Sequence, residues 1–255
     1  QGDKVLLASA TGFDLTQKNI FAPLLCGATL VMPSVESYDP QALLHDIRSH
    51  RITLLNGAPS AFYPLVEIAA AQQWRDLASL RALVLGGEPI RMERLHGWLA
   101  SEHGRCRVIN SYGPTECTDV VAWHEVDIDA PNEVLPIGRP VDNNQLYVLD
   151  RYDQPLPVGA VGEIGVAGAG VGSGYLHREA LTASVFVANP FGEGRLYRTG
   201  DLGRYLANGE LEFLGRKDFQ IKLRGLRIEP GEVEQALRRL DGVRDSLALV
   251  RDDRL

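Results

Sequence analysis

The sequence predicts an α/β fold: a parallel-sheet layered part, then a β-rich part, then the start of a small α+β domain. Three observations carry this. In the first half, short apolar runs alternate with amphipathic helical segments, the pattern of a mostly parallel sheet covered on both faces. After about residue 130 the chain turns to short strands divided by Gly, Pro and Asn. Near Asp218 it changes again, to one alternating stretch and one helix. The parts are placed at residues 1–130, 131–217 and 218–255, with a hinge at Asp218.

In chain order, "GATLVMP" reads as a strand. "YDPQALLHDIRSHR" reads as a helix capped by Asp39, with Pro40 at its first position and Leu43, Leu44 and Ile47 on one stripe. "ITLLNGAP" is a strand, "SAFYPLVEIAAAQQ" a helix, "RALVLGGEP" a strand, "IRMERLHGWLASE" a helix and "RVIN" a strand. The β-rich part comprises "PIGRPV", "QLYVLD", "GEIGVAG", "RLYRTGDLGRYL" and "ELEFLGR", with one helix, "REALTASVF". Asn208-Gly209 between two alternating stretches is a hairpin signal. In the last part "FQIKLRGLRI" alternates, with Phe219, Ile221 and Leu223 on one face; "EPGEVEQALRRL" is a helix and "VRDSLALV" a strand.

A formal charge of −7 leaves no broad basic field for nucleic acid or an acidic membrane. The three cysteines, Cys26, Cys106 and Cys117, have no metal-ligand spacing; an odd count fits a reducing, cytoplasmic setting, with all three as small buried residues. No signal peptide and no run long enough to cross a bilayer is present. "GAGVGSGY", residues 168–175, looks superficially like a dinucleotide fingerprint. Its glycines recur every second residue and no amphipathic helix follows directly, so it reads as a glycine-rich edge where another backbone comes close.

Ligands of open α/β sheets sit beyond the carboxyl ends of the strands, where "NGAP", "GGEP" and "NSYGPTE" fall. In "NSYGPTE", residues 110–116, a Gly113-Pro114 turn holds an aromatic beside a carboxylate. Together with "LYRTGDLGRY" (196–205), "GRKDFQIKLRGLRIEPGEVE" (215–234), "PIGRPV" (136–141), and "GEIGVAGAGVGSGY" followed by "REALTASVF" and "NPF", this stretch resembles one family. That family is the amino-acid-activating adenylation domains of nonribosomal peptide synthetases, within the acyl-CoA synthetase and luciferase superfamily. Each motif alone is modest; their order and spacing are specific, and they run along essentially the whole chain.

The resemblance implies ATP-dependent activation of an amino acid as aminoacyl-AMP, then transfer to the phosphopantetheine thiol of a carrier protein, beside a condensation domain. It implies Mg2+ as well, since both reactants are anions. By resemblance Tyr112 stacks on adenine beside the Gly113 turn, Thr115 touches phosphate and Glu116 helps hold Mg2+. Asp201 binds ribose and Arg216 the ribose and phosphate; their alternatives are a turn aspartate and an exposed strand-end arginine. Asp218 matches the hinge of a rotating C-terminal domain, and Lys222 to Glu229, with Gly225, the loop that approaches pantetheine.

Aligned by motif, the amino acid pocket comprises Asp14, Leu15, Lys18, Asn56, Val84, Gly86, Ser111, Asp119 and Val120. Asp14 would pair with the substrate α-ammonium; its alternative is a helix cap before Leu15. Lys18, Asn56, Ser111 and Asp119 make the pocket polar and predict a polar substrate side chain, narrowed to an amide or hydroxyl if Lys18 and Asp119 pair. The family's phosphate-gripping loop is expected before Gln1 and its bridging lysine after Leu255, so the chain reads as part of a longer polypeptide that adenylates poorly alone. The competing readings are a stand-alone acid-CoA or aryl-acid ligase of the same superfamily and a non-catalytic scaffold domain.

Overall fold

The computed structural model describes residues 2–129, 135–218, 220–223, 226–240 and 242–249. The first part runs β1 (Lys4–Leu6), α1 (Leu15–Leu25), β2 (Thr29–Val31), α2 (Pro40–His50), β3 (Leu54–Gly57), α3 (Pro59–Ala69), β4 (Ala82–Gly86), α4 (His96–Leu99), β5 (Arg107–Tyr112), β6 (Ala122–Glu125) and β7 (Arg139–Pro140). Its strands form one seven-stranded sheet in the order β2-β1-β3-β4-β5-β6-β7. The pairs from β2 through β5 are parallel; β6 and β7 join antiparallel.

Local chemistry accounts for these elements. Asp39 accepts from the Gln41 and Ala42 amides at 2.8 and 3.2 Å, Pro40 opens α2, and Arg51 ends it in the left-handed region. The stripe of Leu43, Leu44 and Ile47 is buried with Phe62, Leu65 and Val66 of α3 against Leu55, Leu83, Leu85 and Val108 of the strands. On β4 only alternate residues are buried: Leu83 and Leu85 are covered, while Ala82, Val84 and Gly86 are half-buried. The sheet is therefore not sealed on both faces there, and the more open face leads to the site described below.

A second sheet contains β8 (Asn144–Leu149), β9 (Gly162–Gly168), β10 (Phe186–Ala188), β11 (Arg195–Tyr205) and β12 (Leu211–Arg216), with α5 (Glu179–Val185) before β10. All its pairings are antiparallel, in the order β10-β11-β9-β8 with β12 on β11. The Asn208-Gly209 turn joins β11 and β12, with Gly209 at φ 80° and the Glu210 amide donating to Asn208 Oδ1 at 3.0 Å. Tyr112, Cys117, Val121 and Ala122 share a core with Ile164, Val166, Phe186, Tyr197 and Leu211, so the two sheets are packed together.

Several expectations are corrected. "IRMERLHGWLASE" is not one helix but a 3-10 turn at Met92–Arg94 and the single turn of α4. Gly97 weakens a helix here, and a Cβ on it would lie 3.3 Å from the Trp74 ring, a tight contact that the ring would have to yield to. "FQIKLRGLRI" folds back as β13 (Ile221–Leu223) and β14 (Leu226–Ile228), an antiparallel pair; α6 (Pro230–Arg238) follows. Gly225 and Phe219 lie outside the described residues. Residues 243–249 of "VRDSLALV" form no strand: the Ser246 hydroxyl and the Ala248 amide donate instead to the Glu234 carbonyl and side chain of α6. Cys106 and Cys117 are buried, and burial pushes both thiols up to about 12; Cys26 is exposed. Among the described residues no helix is long and apolar enough to cross a membrane.

Leu83 is fully covered at the centre of the parallel strands. Leu83→Ala is expected to cost about 2–5 kcal/mol in urea unfolding; a loss below about 1 kcal/mol would mean this face is not tightly packed.

Candidate active site

Beyond the carboxyl ends of β3, β4 and β5 lies a cavity of about 160 Å3. Asp14, Leu15, Lys18, Asn56, Gly86, Ser111, Asp119 and Val120 all line it, as do Gly113, Thr115, Asp201 and Arg216. Three sequence-predicted residues do not. Val84 lies two positions back along β4, half-buried, in register with Asn56 and Ile109. Tyr112 borders a larger adjoining cleft together with Gly87, Glu88, Asn110 and Phe213. Glu116 points to a tyrosine pair, described below.

The loop after β5 is shaped by close backbone contact. A Cβ on Gly113 would lie 1.3 Å from the Asp119 carbonyl oxygen, so only glycine fits. Thr115–Cys117 make one 3-10 turn; Thr118 and Asp119 follow at φ 62° and 71°, left-handed conformations that disfavour side chains. This bend brings Asp119 within 2.6 Å of Lys18. Burial pushes the Asp119 carboxyl up, Lys18 draws it down, and Asp14 adds to the upward shift.

Asp14 caps α1 and also lines the cavity. Its Oδ1 accepts from the Leu15 amide at 2.7 Å at the start of α1, and its Oδ2 accepts from the Thr115 hydroxyl, 101 residues away. The helix-cap contact and exposure to the cavity coexist.

The remaining polar residues are already partnered. Asn56 donates to Asn19 Oδ1 at 2.8 Å, and the Ser111 hydroxyl donates to the Leu85 carbonyl at 3.0 Å. With Lys18 bound to Asp119, each of the four polar pocket residues already has a partner within the protein. Asn19, itself buried, had no sequence signal, because a polar residue on an inward helix face breaks apolar periodicity.

Asp201 is 2% exposed and joins the two sheets. The Tyr112 hydroxyl donates to it at 2.5 Å and Arg216 Nη1 at 2.6 Å. Arg216 also clasps Asp218 with Nε and Nη2, both at 2.7 Å. Burial first, then Asp201, raises the Tyr112 hydroxyl well above the ordinary tyrosine range, so it remains a donor.

Glu116 accepts from the Tyr175 hydroxyl at 2.6 Å. Among the described residues no group of three or more His, Cys, Asp or Glu side chains is placed to hold a metal ion. A single carboxylate in a neighbourhood of hydroxyls fits Mg2+ that takes most of its ligands from phosphates and water.

Behind Asp201, Glu163 accepts from the Gly200 amide at 3.0 Å, Lys217 at 2.8 Å and Arg198 at 3.1 Å. Burial disfavours its charge, yet Lys217, Arg198 and that amide hold its carboxyl below the usual glutamate range. A depressed folded value stabilises above the unfolded value, roughly 4.3, and the contribution is lost as pH falls through the folded value. Glu163→Gln should therefore lower the unfolding midpoint at pH 7, with the gap to the parent shrinking as pH falls below about 4. A gap independent of pH would exclude the charge as its source.

Residues 1–176 match the AMP-binding enzyme family model. The chain is 41% identical to tyrocidine synthase 3 of Brevibacillus parabrevis over 255 residues, covering 98% of this chain and 4% of that protein. It is 43% identical to malpibaldin synthetase of Mortierella alpina over 244 residues, 92% of this chain and 4% of that one. Among solved structures it is similar to holo-PA1221, a nonribosomal peptide synthetase protein with adenylation and PCP domains bound to a vinylsulfonamide inhibitor (TM-score 0.89, 32% identity, 98% of this chain and 44% of that chain). It is also similar to IdnL1 (TM-score 0.88, 27% identity, 97% of this chain and 52% of that one). The chain thus spans a small fraction of the curated synthetases and about half of these solved chains. On the family match and these relatives together, the chain belongs to the AMP-binding enzyme family, among the adenylation domains of nonribosomal peptide synthetases.

Proposed function

We propose that this chain forms the nucleotide- and substrate-binding part of an amino-acid-adenylating ligase in nonribosomal peptide synthesis. The observation that carries the reading is the convergence of Asp14, Thr115, Asp201 and Arg216 on one cavity at the ends of the parallel strands. In the proposed reaction an amino acid carboxylate oxygen bonds to the α-phosphorus of ATP, the bond to the β-phosphate oxygen breaks, and pyrophosphate leaves. The thiol of a carrier protein's phosphopantetheine then attacks the mixed anhydride, giving a thioester and AMP.

Within this reading Asp14 clamps the α-ammonium, because a cation in a closed pocket needs an opposing charge. Tyr112 faces adenine, with Gly113 letting the loop bend beside it. Asp201 accepts from the ribose hydroxyls, and Arg216, now clasping two carboxylates, offers its fork to ribose and phosphate oxygens. Thr115 contacts phosphate, and Glu116 would hold Mg2+, which when bound neutralises the phosphates. Leu15, Val84, Gly86 and Val120 shape the remaining wall. The pairing of Lys18 with Asp119 supports a neutral, hydrogen-bonding substrate side chain, an amide or hydroxyl. The three-part division, with a hinge at Asp218 and a pantetheine-facing loop around Gly225, belongs to the same reading. So do a neighbouring condensation domain and a cytoplasmic setting.

Pyrophosphate exchange by the full-length protein across the proteinogenic and hydroxylated amino acids, with aryl and fatty acids alongside, tests the activity. Activation of only aryl or fatty acids would overturn it. Asp14→Ala should lower kcat/KM for the amino acid about a hundredfold or more, the scale of an unpaired buried charge. ATP affinity, measured by calorimetry, should change less than about threefold. Equal losses in both would show that Asp14 does not face the amino acid.

A further inference from the structure

The glycine-rich stretch at 168–175, which carries no nucleotide fingerprint, lies along the turn that bears Glu116. The Gly172 amide donates to the Glu116 carbonyl at 2.8 Å, and the Thr118 hydroxyl donates to the Gly170 carbonyl at 2.7 Å. A Cβ at Gly170 would sit 2.8 Å from the Cys117 carbonyl oxygen, and one at Gly172 would sit 2.9 Å from that of Glu116. Side chains at either position would push the two backbones apart.

The stretch ends in Tyr175, whose position is fixed from several sides. Its amide donates to the Thr182 hydroxyl of α5 at 2.9 Å, and its ring meets Phe186 edge-on at 5.5 Å. Arg195 holds the Ser173 and Gly172 carbonyls at 2.9 and 2.6 Å. From this braced position the Tyr175 hydroxyl donates to Glu116 Oε1 at 2.6 Å and lies 3.3 Å from the Tyr197 hydroxyl. Burial foremost, then Tyr175 and Glu116, hold the Tyr197 hydroxyl above the ordinary tyrosine range, so it stays protonated.

We propose that Tyr175, carried by this glycine strap, is a positioning residue that fixes the Glu116 carboxylate before the magnesium–nucleotide arrives. The inference rests on the reading of Glu116 as the Mg2+ residue. The backbone contacts set where the turn lies, and the tyrosine hydroxyl sets how its carboxylate is rotated. Partners that orient a metal-binding carboxylate typically change metal affinity 10–100-fold when removed.

The test is Mn2+ binding, followed by electron paramagnetic resonance, to the full-length protein saturated with a non-hydrolysable ATP analogue. Tyr175→Phe keeps the ring against Phe186 and removes only the hydroxyl. It should weaken Mn2+ binding about tenfold, Glu116→Gln should weaken it at least as much, and the double variant no more than Glu116→Gln alone. Wild-type Mn2+ affinity in Tyr175→Phe beside weakened binding in Glu116→Gln would overturn the inference and leave the Glu116 reading standing. Additive losses in the double variant would also overturn it, by assigning the tyrosine a role that does not pass through Glu116. Unchanged binding in Glu116→Gln would overturn the reading itself.

Discussion

A nearly covered carboxylate at the seam of two sheets, on the edge of the cavity, sets the geometry around it. Asp201 is almost fully covered, and a buried charge without partners would cost several kcal/mol. Its partners come from opposite directions: Tyr112 from the end of β5 and Arg216 from β12. Tyr112 is thereby drawn against the second sheet, and the site forms at the seam. On β11 and β12, Asp201 and Arg216 are direct cross-strand neighbours, next to register shifts on both sides of β11. Such irregularities re-aim side chains at a sheet's working end. Gly200 completes the arrangement: at φ 75°, a Cβ there would stand 2.7 Å from Arg216 Nη2.

The loop from Gly113 to Val120 answers a second constraint. It must leave β5, pass the cavity and return to pair in β6 within a few residues. Close contact at Gly113 and two successive left-handed residues, Thr118 and Asp119, achieve this. Such conformations cost of order 1 kcal/mol or more each and persist where surroundings hold them. Here those surroundings are the Lys18 ammonium on Asp119 and the glycine strap on Glu116, Cys117 and Thr118. The loop's shape is thus imposed from outside its own sequence.

That division explains what was legible in the sequence. Strands β3 to β5 and helices α2 and α3 bury apolar residues at regular spacing, so periodicity reads them directly. Helix α1 inverts the rule: it buries Thr16, Asn19 and Pro23 and exposes Phe21, Leu24 and Leu25, so no stripe marks it. Its inward face serves the site, through Asn19 on Asn56 and Thr16 on Ser9. Most predicted pocket positions gather at one cavity because they lie at strand ends and on one turn of α1. Val84 does not, since its strand faces the cavity only at Gly86. The contact between Tyr175 and Glu116 spans 59 residues and leaves no local pattern to read.

The pre-paired pocket bears on selectivity in a way that a count of polar residues misses. Unpaired groups would penalise every apolar substrate; paired ones impose a different cost, that of exchange. A substrate carboxylate engaging Lys18 would have to draw it from Asp119, stranding a largely covered acid. A substrate amine engaging Asp119 would meet the same obstacle from the lysine's side. A neutral donor needs no exchange, because a carboxylate has more acceptor sites than the single contact Lys18 makes with Oδ2. Under the proposed function the ion pair would act as a filter against charge of either sign while still offering a hydrogen bond. Under the proposed reading, this asymmetry, rather than the polarity of the lining, ranks hydroxyl and amide side chains above ionised ones.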